Sequence, residues 1–140
     1  MARMKRLEKL DGFGNVQMVE VDRPEPAPDQ MLIKVHRSLI SRGSELFHRY
    51  VLERPVPPGA MGYSDAGEVV AVGKEIREFS VGQRVMVNAP HAQYVLASEG
   101  GQRPTTFALP DELDYESATF LPLATSSVMW IRTSPIEADH

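Results

Sequence analysis

Cysteine is absent from the 140 residues, which excludes disulfides, thiolate-held iron–sulfur clusters and any zinc site built on cysteine. Long apolar runs are absent too. No stretch approaches the roughly 18 consecutive apolar residues of a membrane helix, and no signal-peptide core follows the basic start. Nor is positive charge in excess: 15 Lys and Arg against 19 Asp and Glu leave a formal net charge of −4. That balance argues against a nucleic-acid interface, which wants a basic face. Glycine and proline number 10 and 11, too few for low-complexity disorder or a collagen-like repeat. What is left is one domain of ordinary size, residues 1–140, with enough chain to bury a core and a cytoplasmic location expected.

Charge is unevenly spread. Arg3, Lys5, Arg6 and Lys9 face only Glu8 in the first ten residues, whereas residues 111–140 carry six acids and one base, Arg132. A basic arm for an acidic partner is one reading. The plainer one, a solvated strand edge, is the expectation.

Short strands between turn signals dominate the rest. Val16–Val21 follows the reversal Asp11-Gly12-Phe13-Gly14-Asn15, and Met31–His36 follows a proline-rich loop from Arg23 to Pro28. Further strands are expected at Gly67–Val72, Gln83–Val87 and Gln93–Ala97, rich in β-branched or aromatic residues. Closely spaced strands with Gly/Pro turns argue a mainly β barrel or sandwich. Helical pattern is confined to Ser44–Val51, to Tyr115–Phe120 behind a candidate Asp114 N-cap, and to Leu123–Thr133, with Pro122 interrupting the last two. Ser134-Pro135 ends the final helix, because the residue before proline avoids helical angles.

Six segments fall in a telling order: PEPAPDQMLIKV, ISRGSEL, GYSDAGEVVAVG, FSVGQRVMV, HAQYV and LPDELDYESATFLPLATSSVMW. Together they resemble the N-terminal catalytic domain of the medium-chain dehydrogenase/reductase superfamily, whose members include zinc alcohol dehydrogenases and zinc-free quinone reductases. The resemblance implies a GroES-like, partly open β-barrel with a few short helices. It also implies a Rossmann domain as partner, a small-molecule substrate in the cleft between the two, and a homodimer once complete. No G-x-G-x-x-G occurs in the sequence; Gly12-Phe13-Gly14 is followed by Gln17 where the third glycine would stand. The chain is therefore expected to be half of an enzyme, either a piece of a longer protein or a natural stand-alone domain, and inactive by itself for want of a cofactor pocket.

Zinc-using relatives place a cysteine where this sequence has Arg42, and a His-Glu pair where it has Tyr63-Ser64. A fixed cation and a phenol suit zinc poorly, so the resemblance is to the zinc-independent branch and no metal is expected. A rebuilt metal site from His36, His48, His91, Glu45 and Asp65 is the outside alternative, and a small metal-dependent hydrolase using His48 and His91 is a further one. The catalytic candidates are Ser44 and Tyr63. A phenol keeps its proton at neutral pH and can donate to a developing oxyanion; equally, Tyr63 can pack in its loop. Ser44 matches a family hydroxyl that reaches the substrate oxygen, or it caps the short helix. Arg42 is expected to bind substrate or a cofactor phosphate, unless it makes a surface salt bridge. His48, Ser64 and Asp65 are further substrate-side candidates, with Asp65 able to orient Tyr63 or Ser64. Thr125 matches a threonine near the nicotinamide, or bonds back one helical turn. His91 is expected in the core. The whole reads as the substrate side of an NAD(P)H-dependent oxidoreductase acting on a carbonyl, alcohol, quinone or enone. The alternative is a GroES-like binding or assembly module without chemistry.

Overall fold

The computed structural model describes residues 2–100 and 105–134. Its elements run β1 (Arg3–Lys9), β2 (Val16–Asp22), β3 (Gln30–Ser38), a π-type helix (Arg42–Tyr50), a short 3-10 turn (Pro58–Ala60), β4 (Asp65–Val72), β5 (Arg84–Val87), β6 (Tyr94–Ser98), β7 (Thr106–Ala108), α1 (Tyr115–Ala118) and α2 (Leu121–Thr133). β1 and β2 form an antiparallel hairpin. The other strands make one antiparallel sheet in the order β6-β3-β4-β5-β7. Isolated bridges from Arg6 to Ala92 and from Lys9 to Val56 tie the hairpin to the approach to β6 and to a second proline-rich segment, residues 54–59. The result is mainly β, as the turn spacing implied, and it is the partly open barrel that the family resemblance implied.

Side-chain alternation along the strands divides the interior. Met31, Ile33, Val69, Val85, Val87 and Val95 fill the main core, each such burial contributing about 1.5–3 kcal/mol. On the opposite face of β5, Met86 joins Ala66, Leu109 and Ala118 beneath α1. Tyr50, Val56 and Met61 form a third cluster that anchors the π-type helix. Where β3 bulges between Val35 and Arg37, β4 passes so closely that a Cβ on Gly67 would lie 2.1 Å from the Lys34 carbonyl oxygen. Only glycine allows that crossing.

The five strands read from the sequence are present, each shifted or lengthened by no more than two residues. Asp114 caps α1, its Oδ1 accepting the Ser117 N–H at 2.7 Å. Three expectations need correction. Lys9 is not solvated: it is 1% exposed, and its Nζ donates to the carbonyls of Leu10 at 2.5 Å and Gly12 at 2.7 Å. Charge in β1 does not alternate with the strand's two faces, so nothing in its pattern marked one lysine as internal. Pro122 does not interrupt a helix but sits in the first turn of α2, where its missing N–H has no bond to lose. β7, three residues long, was not foreseen; it forms because β5 offers it a free edge. α2 stops at Ser134, which turns extended; Pro135 and the acidic residues after it lie outside the described residues. No helix among the described residues is long and apolar enough to cross a membrane.

Candidate functional site

An open cleft of about 720 Å³ lies between the start of the π-type helix, the loop carrying Tyr63, and α2. Ser44 and Tyr63 stand on one side; Leu123, Trp130 and Ile131 supply an apolar wall on the other, together with Ser126 and Ser127. The last two hydroxyls donate to the carbonyls of Pro122 and Leu123 at 2.9 and 3.0 Å, so what they turn towards the cleft is acceptor lone pairs. From Leu123 onward every described residue of α2 is exposed.

The helix that forms this wall is held by its base. Ser64, fully buried, donates its hydroxyl to the Thr119 carbonyl at the α1–α2 corner. The Tyr115 ring stacks on His36, centroids 4.6 Å apart, with the Arg84 guanidinium 4.7 Å from its centroid. Arg84 also donates to the carbonyls of Pro110, Asp111 and Leu113. Together these contacts fix α1 against β3 and β5.

Ser41, not Ser44, caps the π-type helix. Its hydroxyl accepts the Ser44 N–H at 3.4 Å, and its own N–H donates to Glu45 Oε2 at 2.8 Å. This reciprocal arrangement acts as a capping box and leaves the Ser44 side chain free at the cleft. Glu45 turns the other way and is fully buried. Its Oε1 meets His91 Nε2 at 2.8 Å, with Arg49 3.9 Å away. On the far side of the imidazole, Nδ1 contacts the Ser38 hydroxyl, which also bonds Asp65 Oδ1. Asp65 is fully buried and its Oδ2 has no partner.

The electrostatics follow from this burial. Desolvation pushes the Asp65 carboxyl above its ordinary range, against the lowering pull of His91 and Ser38. For His91 desolvation acts downward, but hydrogen bonding and charge from Asp65 and Glu45 outweigh it and hold the imidazole above its ordinary value. Tyr50 is pushed up to about 12, by burial first and by the neighbouring Glu45 second.

Ser44 and Tyr63 are thus brought to one cleft; Arg42 and His48 are exposed and do not line it. Ser64 and Asp65, expected at the substrate, face inward instead, and Asp65 bonds Ser38 instead of orienting either neighbour. Thr125 spends its hydroxyl on the Leu121 carbonyl at 2.8 Å, the bond one helical turn back that mid-helix threonine commonly makes. Of the five residues weighed for a metal, Glu45, His91 and Asp65 do come together, but as a hydrogen-bonded chain with Ser38 in it. Among the described residues no group of three or more His, Asp or Glu side chains is arranged so that it could hold a metal ion. Sequence reasoning missed Ser38, whose position carries no motif, and the two α2 serines, which are visible only as helix neighbours of Thr125.

A family described as the alcohol dehydrogenase GroES-like domain matches residues 27–108, more than half of the chain. The chain belongs to this family. Among relatives of this GroES-like domain, the L-threonine 3-dehydrogenase of Vibrio parahaemolyticus is 36% identical over 88 residues, covering 59% of this chain and 25% of that protein. The Pyrococcus horikoshii L-threonine 3-dehydrogenase is 39% identical over 80 residues, 54% of this chain and 22% of its own length. The domain therefore spans about a quarter of the relatives it matches. In fold it is similar to the 2R,3R-butanediol dehydrogenase of Bacillus subtilis, with a TM-score of 0.76 at 23% identity over 96% of this chain and 48% of that one. It is also similar to Escherichia coli quinone oxidoreductase complexed with NADPH, with a TM-score of 0.71 at 20% identity over 99% of this chain and 43% of the other.

Proposed function

We propose that this GroES-like domain is the substrate side of a cytoplasmic NAD(P)H-dependent, zinc-independent oxidoreductase that interconverts a carbonyl, quinone or enone with its reduced form. The observation that carries the reading is the placement of the Ser44 and Tyr63 side chains in one cleft, facing the exposed apolar side of α2. A cofactor domain following the barrel would cover that side and close the cleft. The relatives and structural neighbours described above, dehydrogenases and a quinone oxidoreductase, support the reaction class.

The nicotinamide, when bound, supplies hydride. The tasks left to this chain are to seat the substrate and manage its oxygen. Leu123, Trp130 and Ile131 offer an apolar bed. The Tyr63 hydroxyl can donate a hydrogen bond to an oxygen gaining negative charge, and the Ser44 hydroxyl can add a second. Arg42, exposed at the start of the π-type helix, remains available to a cofactor phosphate; Thr125, with its hydroxyl turned back, can offer only a lone pair. Zinc does not fit the residues present. Arg42 and Tyr63 stand at the resembled ligand positions, and neither a guanidinium nor a protonated phenol is a zinc ligand.

The test is turnover by the complete protein with NADH and NADPH against carbonyl, quinone and enone substrates. Tyr63→Phe should lower kcat by about 100-fold, the scale of one oxyanion donor, while leaving the thermal midpoint unchanged. Unchanged kcat removes Tyr63 from the mechanism, and a requirement for added transition metal overturns the zinc-free reading.

A further inference from the structure

We propose that the buried Glu45, His91 and Asp65, joined through the hydroxyl of Ser38, form a proton-sharing chain that positions the two segments presenting Ser44 and Tyr63. It deepens the reading of the cleft and rests on it only for its consequence on rate.

The chain touches both segments directly. Glu45 follows Ser44 and clamps the helix start through the Ser41 N–H. At the other end, the His91 backbone N–H donates to the Met61 carbonyl at 2.7 Å. The His91 ring lies so close to Gly62 that a Cβ there would approach Nδ1 to 2.9 Å. Tyr63 is the next residue. One imidazole therefore stands between the backbone that carries the phenol and the carboxylate that fixes the serine.

Counting protons gives the chain its character. Ser38 offers one hydroxyl proton to two acceptors, His91 Nδ1 and Asp65 Oδ1. One further proton satisfies both contacts, in either of two ways. With that proton on Nδ1, the imidazolium donates to Ser38 and Ser38 donates to Asp65. With the proton on Asp65, the carboxyl donates to Ser38 and Ser38 donates to Nδ1. In both, Nε2–H donates to Glu45. Remove the proton and one acceptor is left facing the hydroxyl unpaired. Asp65 cannot compensate, since its Oδ2 has no other donor, and an unpaired buried acceptor is unfavourable. Loss of the proton should loosen the chain and shift both segments.

The surrounding charges agree with one retained proton. Two carboxylates, Glu45 and Asp65, flank the imidazole, and Arg49 is the cation beside Glu45. Tyr50 stays protonated near Glu45. Beyond Ser38 and His91 opens a separate groove of about 330 Å³ whose other charged and titratable side chains are Lys5, His36 and Arg37. That groove holds no acid to trap the proton, and it gives the chain its path to solvent.

The experiment is a pH titration of the isotopically labelled chain, following the His91 ring nitrogens and the backbone amides of Ser44 and Tyr63. The expected result is a His91 midpoint above the ~6.5 of a free imidazole, with both amides moving at the same midpoint. Glu45→Gln should lower that midpoint by about one unit or more. Ser38→Ala, a change at an exposed position, should uncouple the amides from it. An imidazole titrating as a free one, or Ser44 and Tyr63 amides indifferent to His91, overturns the proposal without any variant. In the complete protein kcat should fall on the alkaline side with that same midpoint. Coupled amides in a protein with no oxidoreductase turnover would sink the functional reading and leave the chain standing, whereas turnover indifferent to the midpoint would deny the chain its effect on rate.

Discussion

Replacing Gly67 by alanine tests whether the crossing of β3 and β4 is as tight as its geometry says. The new Cβ would lie 2.1 Å from the Lys34 carbonyl oxygen, 2.9 Å from its carbonyl carbon and 3.0 Å from Val35 Cα. All three are backbone atoms, so no side chain can swing aside. Restoring an ordinary carbon–oxygen approach of ~3.3 Å requires the strands to part by about 1 Å at the bulge. Two ladder hydrogen bonds would be strained or lost, at about 0.5–1.5 kcal/mol each, and overpacking adds about 1–3 kcal/mol. The expected loss is about 3–5 kcal/mol. Ser38 pairs with Asp65 a short way along the same ladder, so the damage should reach the buried chain as well. Gly59→Ala is the control, because a Cβ there meets nothing within 4 Å, and it should change stability by less than about 1 kcal/mol. Urea unfolding measures both; with a slope of about 1.5–2 kcal/mol/M, Gly67→Ala should lower the midpoint by roughly 2 M. A loss below about 1 kcal/mol, or equal losses for the two variants, would refute the reasoning.

Lys9→Met removes the donor shared by the carbonyls of Leu10 and Gly12 and should destabilise the chain by about 2–4 kcal/mol; a thermal midpoint within a degree of wild type would contradict it. His91 and Asp65 both titrate above their ordinary values in the folded chain, so folding takes up protons. Their stabilisation is complete below the unfolded pKa values and is lost as pH rises through the folded ones. Urea unfolding should therefore show stability declining as pH rises past about 6.5, and a rise between pH 7 and 9 would reverse the sign. At acid pH the opposite holds for Glu99 and Asp114. Backbone N–H groups of Arg77, Glu78 and Phe79 outweigh desolvation and hold Glu99 low, and the Ser117 N–H holds Asp114 low. Their support fades as pH falls through the folded values. Glu45→Ala leaves His91 opposite an empty space and the Ser41 N–H without its acceptor; a loss of about 3–5 kcal/mol is expected, with calorimetry as the check and a change under 1 kcal/mol as the counter-result.

By itself the sequence determined the class of the fold. Val16–Val21, Gly67–Val72 and Gln93–Ala97 are strands because β-branched and aromatic residues stand between turn formers, and that information is local. The Asp114 cap was legible for the same reason. So was the pairing of Ser44 with Tyr63, because each sits in a string that matches the family at its own position. What only the tertiary structure decided is where side chains point once distant segments meet. Ser64 and Asp65 lie one and two residues beyond Tyr63, yet they turn into the core. Lys9, one base among several, is the one whose ammonium finds carbonyls from the following turn. Ser38, Glu45 and His91 come from three separate elements, and nothing in their local sequence says that one imidazole will bridge two buried acids. A hydrogen-bonded chain of that kind is a property of long-range packing: burial removes the water that would otherwise satisfy Glu45, His91 and Asp65, and they are then left to satisfy one another, with Ser38 as the link.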